Sequence, residues 1–257
     1  MAEPMLSVSG LTKTITLHIL HGAEVHPLRD VSFDLAPGEF LAIAGPSGAG
    51  KSSLLKCLNR TYLATAGTAK YVTRAGEVVD LFSAPERDVV ALRRNEITYV
   101  SQFLKAPPRV PAVDVVASVL TRRGVGLEEA RERASAMLTR LGMGSSLQSS
   151  YPALFSGGEQ QRVNVAKAFV DPPRLLLLDE PTSALDVDNR DRVIDLLREA
   201  QAGGTAVIAI FHDRELIRRL ADRVLVLADG IAREVAPDED FGIADDSLAD
   251  ELMGVSR

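Results

Sequence analysis

The chain has 257 residues, 46% hydrophobic and 25% charged, which fits one ordinary domain with a well-buried core. Its net charge of −6 is carried by the C-terminal stretch from Ala236 onward, where seven acids face Arg257 alone. The body is therefore neutral and lacks the basic excess that holds nucleic acid. A single cysteine, Cys57, excludes an internal disulfide and points to a reducing, cytoplasmic compartment. No apolar run approaches a bilayer span, and the start Met-Ala-Glu-Pro lacks the pattern of a signal peptide.

Taken in chain order, Leu6–Val8 and Thr14–His18 predict short strands, and Leu28–Leu35 a third with Val31, Phe33 and Leu35 alternating. Ala36-Pro37-Gly38-Glu39 predicts a tight turn into the apolar strand Phe40–Ala44. Next comes Gly45-Pro46-Ser47-Gly48-Ala49-Gly50-Lys51-Ser52, with the spacing G-x-x-x-x-G-K-S. Leu54, Leu55 and Leu58 give the residues after it a helical period. Glycines let successive N–H groups converge on one anion, and the helix adds the positive end of its dipole. Lys51 is then placed for the β- and γ-phosphates of a nucleoside triphosphate, and the Ser52 hydroxyl for Mg²⁺.

A β-like stretch follows at Tyr71–Leu81, then the strand Ile97–Val100 with Gln102 just beyond its end. From about Phe103 to Phe169 the period is helical. Ala130, Ala134, Met137, Leu138 and Leu141 mark one helix face, Glu129 pairs with Arg133, and Gly142 closes the helix. Within Phe155-Ser156-Gly157-Gly158-Glu159-Gln160-Gln161, Ser156 and Glu159 form a capping box, so a helix begins there. Its first turn contains two glycines with open N–H groups, a second place for an anion. The strand at Arg174–Leu178 ends in Asp179 and Glu180. The first acid faces the metal side of the phosphates, and the second can polarise an attacking water. Ser183–Asp186 forms a turn, Val193, Leu196, Leu197 and Ala200 mark a helix, and Gly203-Gly204 stops it. The strand Thr205–Phe211 delivers His212, and Asp229-Gly230 predicts a hairpin between Val224–Leu227 and Ile231–Val235. Strands alternating with helices predict a largely parallel sheet into which the helical block is inserted.

Together these motifs resemble the nucleotide-binding subunits of ATP-binding-cassette (ABC) proteins, over about Leu6 to Val235. The resemblance implies a P-loop (RecA-like) α/β fold with an antiparallel β sub-lobe and a helical sub-domain at about 103–169. The cassette would span 1–235, and 236–257 would be an acidic tail. ATP and Mg²⁺ are the implied cofactors. Gly45, Pro46, Ser47, Gly48, Ala49, Gly50, Lys51, Ser52 and Ser53 would cradle the nucleotide; Ser52, Gln102 and Asp179 would hold the metal. Glu180, His212 and Gln102 would serve hydrolysis. The family pairs two subunits head to tail, so Ser156, Gly157, Gly158 and Glu159 would act on the other subunit's nucleotide, with Asp186 at the interface. The pair would be a homodimer or a heterodimer with a related ABC ATPase. Family members usually stack an aromatic residue on adenine where this chain has Ile15; Ile15 or His18 is expected to take its place.

Finer strings narrow the resemblance. Val79-Asp80-Leu81 with Ala84-Pro85, then Val100-Ser101-Gln102-Phe103-Leu104, Phe155–Asn164 and Ile210-Phe211-His212-Asp213 resemble L-type ATPase subunits of the bacterial carbon–phosphorus lyase system for phosphonate breakdown. That implies an accessory ATPase working with soluble subunits. The alternative is the ATP-binding subunit of a lipoprotein-release or small-molecule transporter, driving a membrane permease.

Overall fold

A computed structural model describes residues 3–17 and 23–239. His18 and most of the acidic tail lie outside them. Three strands form the middle of a six-stranded sheet: β3 (Phe40–Ala44), β7 (Leu175–Asp179) and β8 (Ala206–Ile210), each buried at every position. Burial on both faces is why they read as unbroken apolar runs without alternation. With β6 (Ile97–Val100), β9 (Arg223–Ala228) and β10 (Ile231–Val235) the order is β10-β9-β3-β8-β7-β6. All neighbours pair in parallel except the β9–β10 hairpin. The hairpin turns on Asp229 at φ 50° and Gly230 at φ 79°, both left-handed, as a two-residue loop requires.

Alternate residues of the central strands feed two cores. Phe40, Ala42, Leu176, Leu178, Val207 and Ala209 face one side with the helical block. Leu41, Ile43, Leu175, Leu177, Ile208 and Ile210 face the other, together with the β sub-lobe and the helix α1 (Lys51–Leu58). Cys57 belongs to this second core, where burial pushes its thiol up to about 11 and leaves it an unreactive apolar group.

The sub-lobe is a four-stranded antiparallel sheet made of β1 (Leu6–Leu17), β2 (Ala23–Leu35), β4 (Ala66–Val72) and β5 (Val78–Asp80), in the order β2-β1-β4-β5. The two short strands expected at Leu6–Val8 and Thr14–His18 are one strand. Gly10 at φ 67° lets the chain bulge and resume pairing at the buried Leu11, so the strand does not end there. The stretch Tyr71–Leu81 is instead two strands, folded back through a turn at Gly76.

Between β5 and β6 in the chain comes α2 (Glu86–Asn95), a largely polar helix with only Val89 and Leu92 buried; its apolar stripe is too narrow to have been legible. The helical block contains α3 (Ala112–Thr121), α4 (Leu127–Arg140), α5 (Ser145–Gln148), a 3₁₀ turn at Pro152–Leu154 and α6 (Gly157–Phe169). α4 carries the expected Glu129–Arg133 pair, and Gly142 follows it at φ 71°. α7 (Val187–Ala202) and α8 (Arg214–Leu220) complete the layer. No helix among the described residues is long and apolar enough to cross a membrane.

Leu177 lies in the middle of β7 with no exposed surface. Leu177→Ala is expected to destabilise the fold by about 3 kcal/mol through lost burial and the cavity left behind. The shift of the urea midpoint at unchanged slope measures it.

Candidate nucleotide site

Four of the five parallel strands, β6, β3, β7 and β8, deliver the site residues at one edge of the sheet, and the site is built on what leaves them there. β3 leads into the glycine loop. At Gly45, φ 134°, a β-carbon would stand 2.0 Å from the Leu227 carbonyl oxygen. At Gly50, φ 101°, it would stand 2.0 Å from that of Pro27. The loop is thus wedged between β9 and β2, and only glycine fits at either position. Gly48, at φ 80°, faces open space. Pro46 and Ser47 are exposed, Ala49 is buried. α1 starts directly after Gly50 and has no side-chain cap, so its first-turn N–H groups, through Ser52 and Ser53, are free for an anion.

Lys51 is buried, and its ammonium donates to the carbonyls of Gly45 (2.7 Å) and Pro46 (2.8 Å). Burial lowers its pKa, opposed by the charges of Glu180 and Asp179. Asp179, at the end of β7, is 5% exposed. Its Oδ1 accepts from the Ser52 hydroxyl at 2.9 Å and its Oδ2 from the Tyr99 hydroxyl at 2.9 Å. Burial, then the Asp179 charge, raises the Tyr99 phenol far above its ordinary value, so it stays a donor.

Glu180 follows in the left-handed region at φ 52°, which turns its side chain away from the strand direction. Its Oε1 lies 2.8 Å from His212 Nε2, and its Oε2 accepts from Gln102 Nε2 at 3.3 Å. Gln102 and His212 each sit just past a strand end, as expected, but both are directed at Glu180. The hydrogen bond Gln102 makes is to this carboxylate and not to the Ser52–Asp179 pair.

A hydroxyl and a carboxylate are hard oxygen donors that suit Mg²⁺, and no cluster of three or more His, Cys, Asp or Glu among the described residues forms a protein-only metal cage. That matches a cation held by one or two protein oxygens with the rest supplied by phosphate and water.

The second helix start is separate. At α6 the capping box is complete: Ser156 N–H donates to Glu159 Oε2 at 2.8 Å, and Glu159 N–H to Ser156 Oγ at 3.3 Å. The Ser156 N–H holds the Glu159 carboxyl below its usual range. Two orphan donors are thereby used, which leaves Gly157 and Gly158 to face an anion. No hydrogen bond among the described residues links this turn to the glycine loop. It packs on the chain after Glu180 instead, where a β-carbon on Gly158 would meet the Ala184 oxygen at 2.8 Å. Asp186 caps α7, accepting from Asn189 N–H at 2.9 Å, a bond that lowers its pKa. Ile15 is half-buried opposite Val25 in the β sub-lobe. Sequence reasoning quoted Gln161 and Asn164 within its motif strings without seeing that these buried amides of α6 hold two loops, and it missed Tyr99 and the carbonyls behind Gly45 and Gly50, which belong to no motif.

A family profile described as "ABC transporter" matches residues 28–183. The chain belongs to this ABC family. It is 37% identical over 231 residues to the lipoprotein-releasing system ATP-binding protein LolD of Maricaulis maris, covering 90% of this chain and 96% of that protein. LolD of Ruegeria pomeroyi is 40% identical over 233 residues, covering 90% and 97%. Among solved structures, the dimeric post-hydrolysis state of the ATP-binding cassette MJ0796 bound to ADP and Pi superposes with a TM-score of 0.82 at 27% identity. It covers 92% of this chain and all of that one. The fold is thus an ABC nucleotide-binding domain, and the chain is an ATPase of that family.

Gly50→Ala would drive a methyl group into the Pro27 carbonyl at a left-handed φ and shift the start of α1. Affinity for a fluorescent ATP analogue is expected to fall about tenfold or more, since backbone misplacement at such a site is strongly penalised. Titration with the analogue checks it.

Proposed function

We propose that this cassette is the ATP-hydrolysing subunit of a transporter-type assembly, working as a head-to-tail dimer with ATP between the glycine loop of one copy and the α6 start of the other. The observation that carries it is the site itself: an uncapped helix behind a glycine loop, with Glu180 held beside it by two donors. The first-turn N–H groups of α1 and the Lys51 ammonium take the phosphates, Lys51 exchanging the carbonyls of Gly45 and Pro46 for the more negative oxygens of ATP. Ser52 and Asp179 would hold Mg²⁺, which would supply positive charge at the phosphates. Tyr99 and Ser52 hold Asp179 in one orientation. Glu180 takes a proton from the attacking water, while His212 and Gln102 keep its two oxygens in place. The products are ADP and phosphate.

Among the described residues, no hydrogen bond joins the start of α6 to the glycine loop, and a β-carbon at Gly48 or at Gly157 would meet nothing within 4 Å. That supports pairing. The LolD-type relatives, which cover nearly the whole chain, support a membrane permease as the driven partner. So do Phe103, in the loop next to Gln102, and Leu154, in the 3₁₀ turn before α6, which are 75% and 79% exposed. A second reading, an accessory ATPase of the carbon–phosphorus lyase system, rests on the finer strings. None of the relatives named above is such a subunit. Affinity capture of the chain from its own cells separates the two, permease subunits favouring transport and soluble lyase subunits the second.

Glu180→Gln is expected to lower turnover about a hundredfold or more, as loss of a general base does, with ATP still bound. Gel filtration with ATP should then find the variant as a dimer. Gly157→Asp, set in open space, should leave Tm unchanged and remove that dimer. Full turnover in Glu180→Gln would take this carboxylate out of the base role.

A further inference from the structure

The segment 101–111 has neither helix nor strand; Leu104, Ala106 and Val110 pack it on the core of the helical block, while its root, at Ser101 and Gln102, is held by a few hydrogen bonds. Ser101 Oγ donates to Phe103 O at 2.7 Å, a bond local to the turn. Among the described residues, the hydrogen bond reaching residues 101–110 from the helical block comes from Asn164, whose Nδ2 donates to Ser101 O at 2.7 Å. Asn164 is 6% exposed in the middle of α6, between Val163 and Val165, which are fully buried. One turn earlier on the same helix, Gln161 is also buried and donates to Pro181 O at 3.0 Å. Ser101 precedes Gln102, and Pro181 follows Glu180. The two loops so held then meet through Gln102 Nε2 and Glu180 Oε2.

The result is a closed ring: Asn164 to Ser101, on to Gln102, across to Glu180, on to Pro181, and back to α6 through Gln161. A helix is stiff, and residues three apart lie on one face, so the two amides fix the spacing of the loops. The Gln102–Glu180 contact, at 3.3 Å, is the longest link and responds most to a shift of either loop. A buried amide is unfavourable at a site an apolar side chain could fill, unless its hydrogen bond is made.

We propose that Asn164 is a positioning residue for hydrolysis: by fixing the root of the 101–111 loop to α6, it sets where Gln102 holds Glu180. This rests on the reading of Glu180 as the base that activates water.

The test uses the full chain carrying Asn164→Leu and, separately, Asn164→Ala. Expected is a fall in kcat of about tenfold, as for a catalytic group displaced by a fraction of an ångström, with KM and affinity for a fluorescent ATP analogue nearly unchanged. Hydrogen exchange of the 101–111 segment should quicken. Placed on top of Glu180→Gln, Asn164→Leu should lower the residual rate no further, because both act through one group. Unchanged kcat in both variants, or unchanged exchange of 101–111, would overturn the proposal. So would equal losses of kcat, nucleotide affinity and Tm, which would make Asn164 a packing residue. If Glu180→Gln itself keeps full turnover, the base reading fails, and that outcome is visible without either Asn164 variant.

Discussion

The carbonyl oxygens of Pro27 and Leu227 stand where β-carbons of Gly50 and Gly45 would be, and the rest of the site is arranged around that contact. Because the loop is pressed from both sides, its path between β3 and α1 has little freedom. α1 therefore starts at one place and in one direction. The N–H groups of its first turn, Lys51 and Ser52 are positioned by backbone geometry, with no side-chain cap to compete for the anion. A preorganised array of this kind needs no reordering when charge arrives, which is the main source of electrostatic catalysis.

Around that array the acids are held with different firmness. Asp179 is buried, and each oxygen accepts from a hydroxyl, one from α1 and one from β6. It is a fixed fitting. Glu180 stands one residue further along, past the strand, and is held at its two oxygens by side chains from loops. His212 is substantially exposed, and Gln102 sits on an irregular segment. The two neighbouring carboxylates thus differ in how they are held, which agrees with the proposed roles of the first in holding a cation and the second in taking a proton. Lys51 links them electrostatically, since both acids oppose the effect of burial on its ammonium.

Much of this was legible in the sequence, because the motif residues sit at strand ends and strand ends are marked by apolar runs. β3, β7 and β8 were readable from unbroken hydrophobicity, and the capping box at Ser156 and Glu159 from residue types alone. What stayed hidden is long-range. Tyr99 lies 80 positions from Asp179, and nothing in Ile97–Val100 distinguishes a tyrosine that meets a carboxylate from one that packs. Asn164 and Gln161 look like ordinary polar positions of a helix until the loops they hold are seen. The division of the sub-lobe was misread for a local reason. Gly10 ends a strand in most contexts, yet here it makes a bulge and the pairing with β2 resumes.

The two adjacent glycines of α6 separate two requirements that a motif merges. Gly158 is needed by the fold, because any side chain would strike the Ala184 carbonyl. Gly157 meets nothing within van der Waals reach inside the chain, and glycine in the first turn of a helix weakens it relative to alanine. A residue that costs stability and relieves no internal contact answers to something outside the chain. Its N–H lies at a helix start whose capping box leaves it unclaimed, so an anion approaching closely, without a methyl group in the way, is the contact that accounts for it. Gly48 also faces open space, at the other helix start, although its φ of 80° calls for glycine in any case. Each chain thus carries two surfaces cleared of side chains, one over the glycine loop and one over the start of α6. In the dimer proposed above, a single phosphate group between two copies would satisfy both.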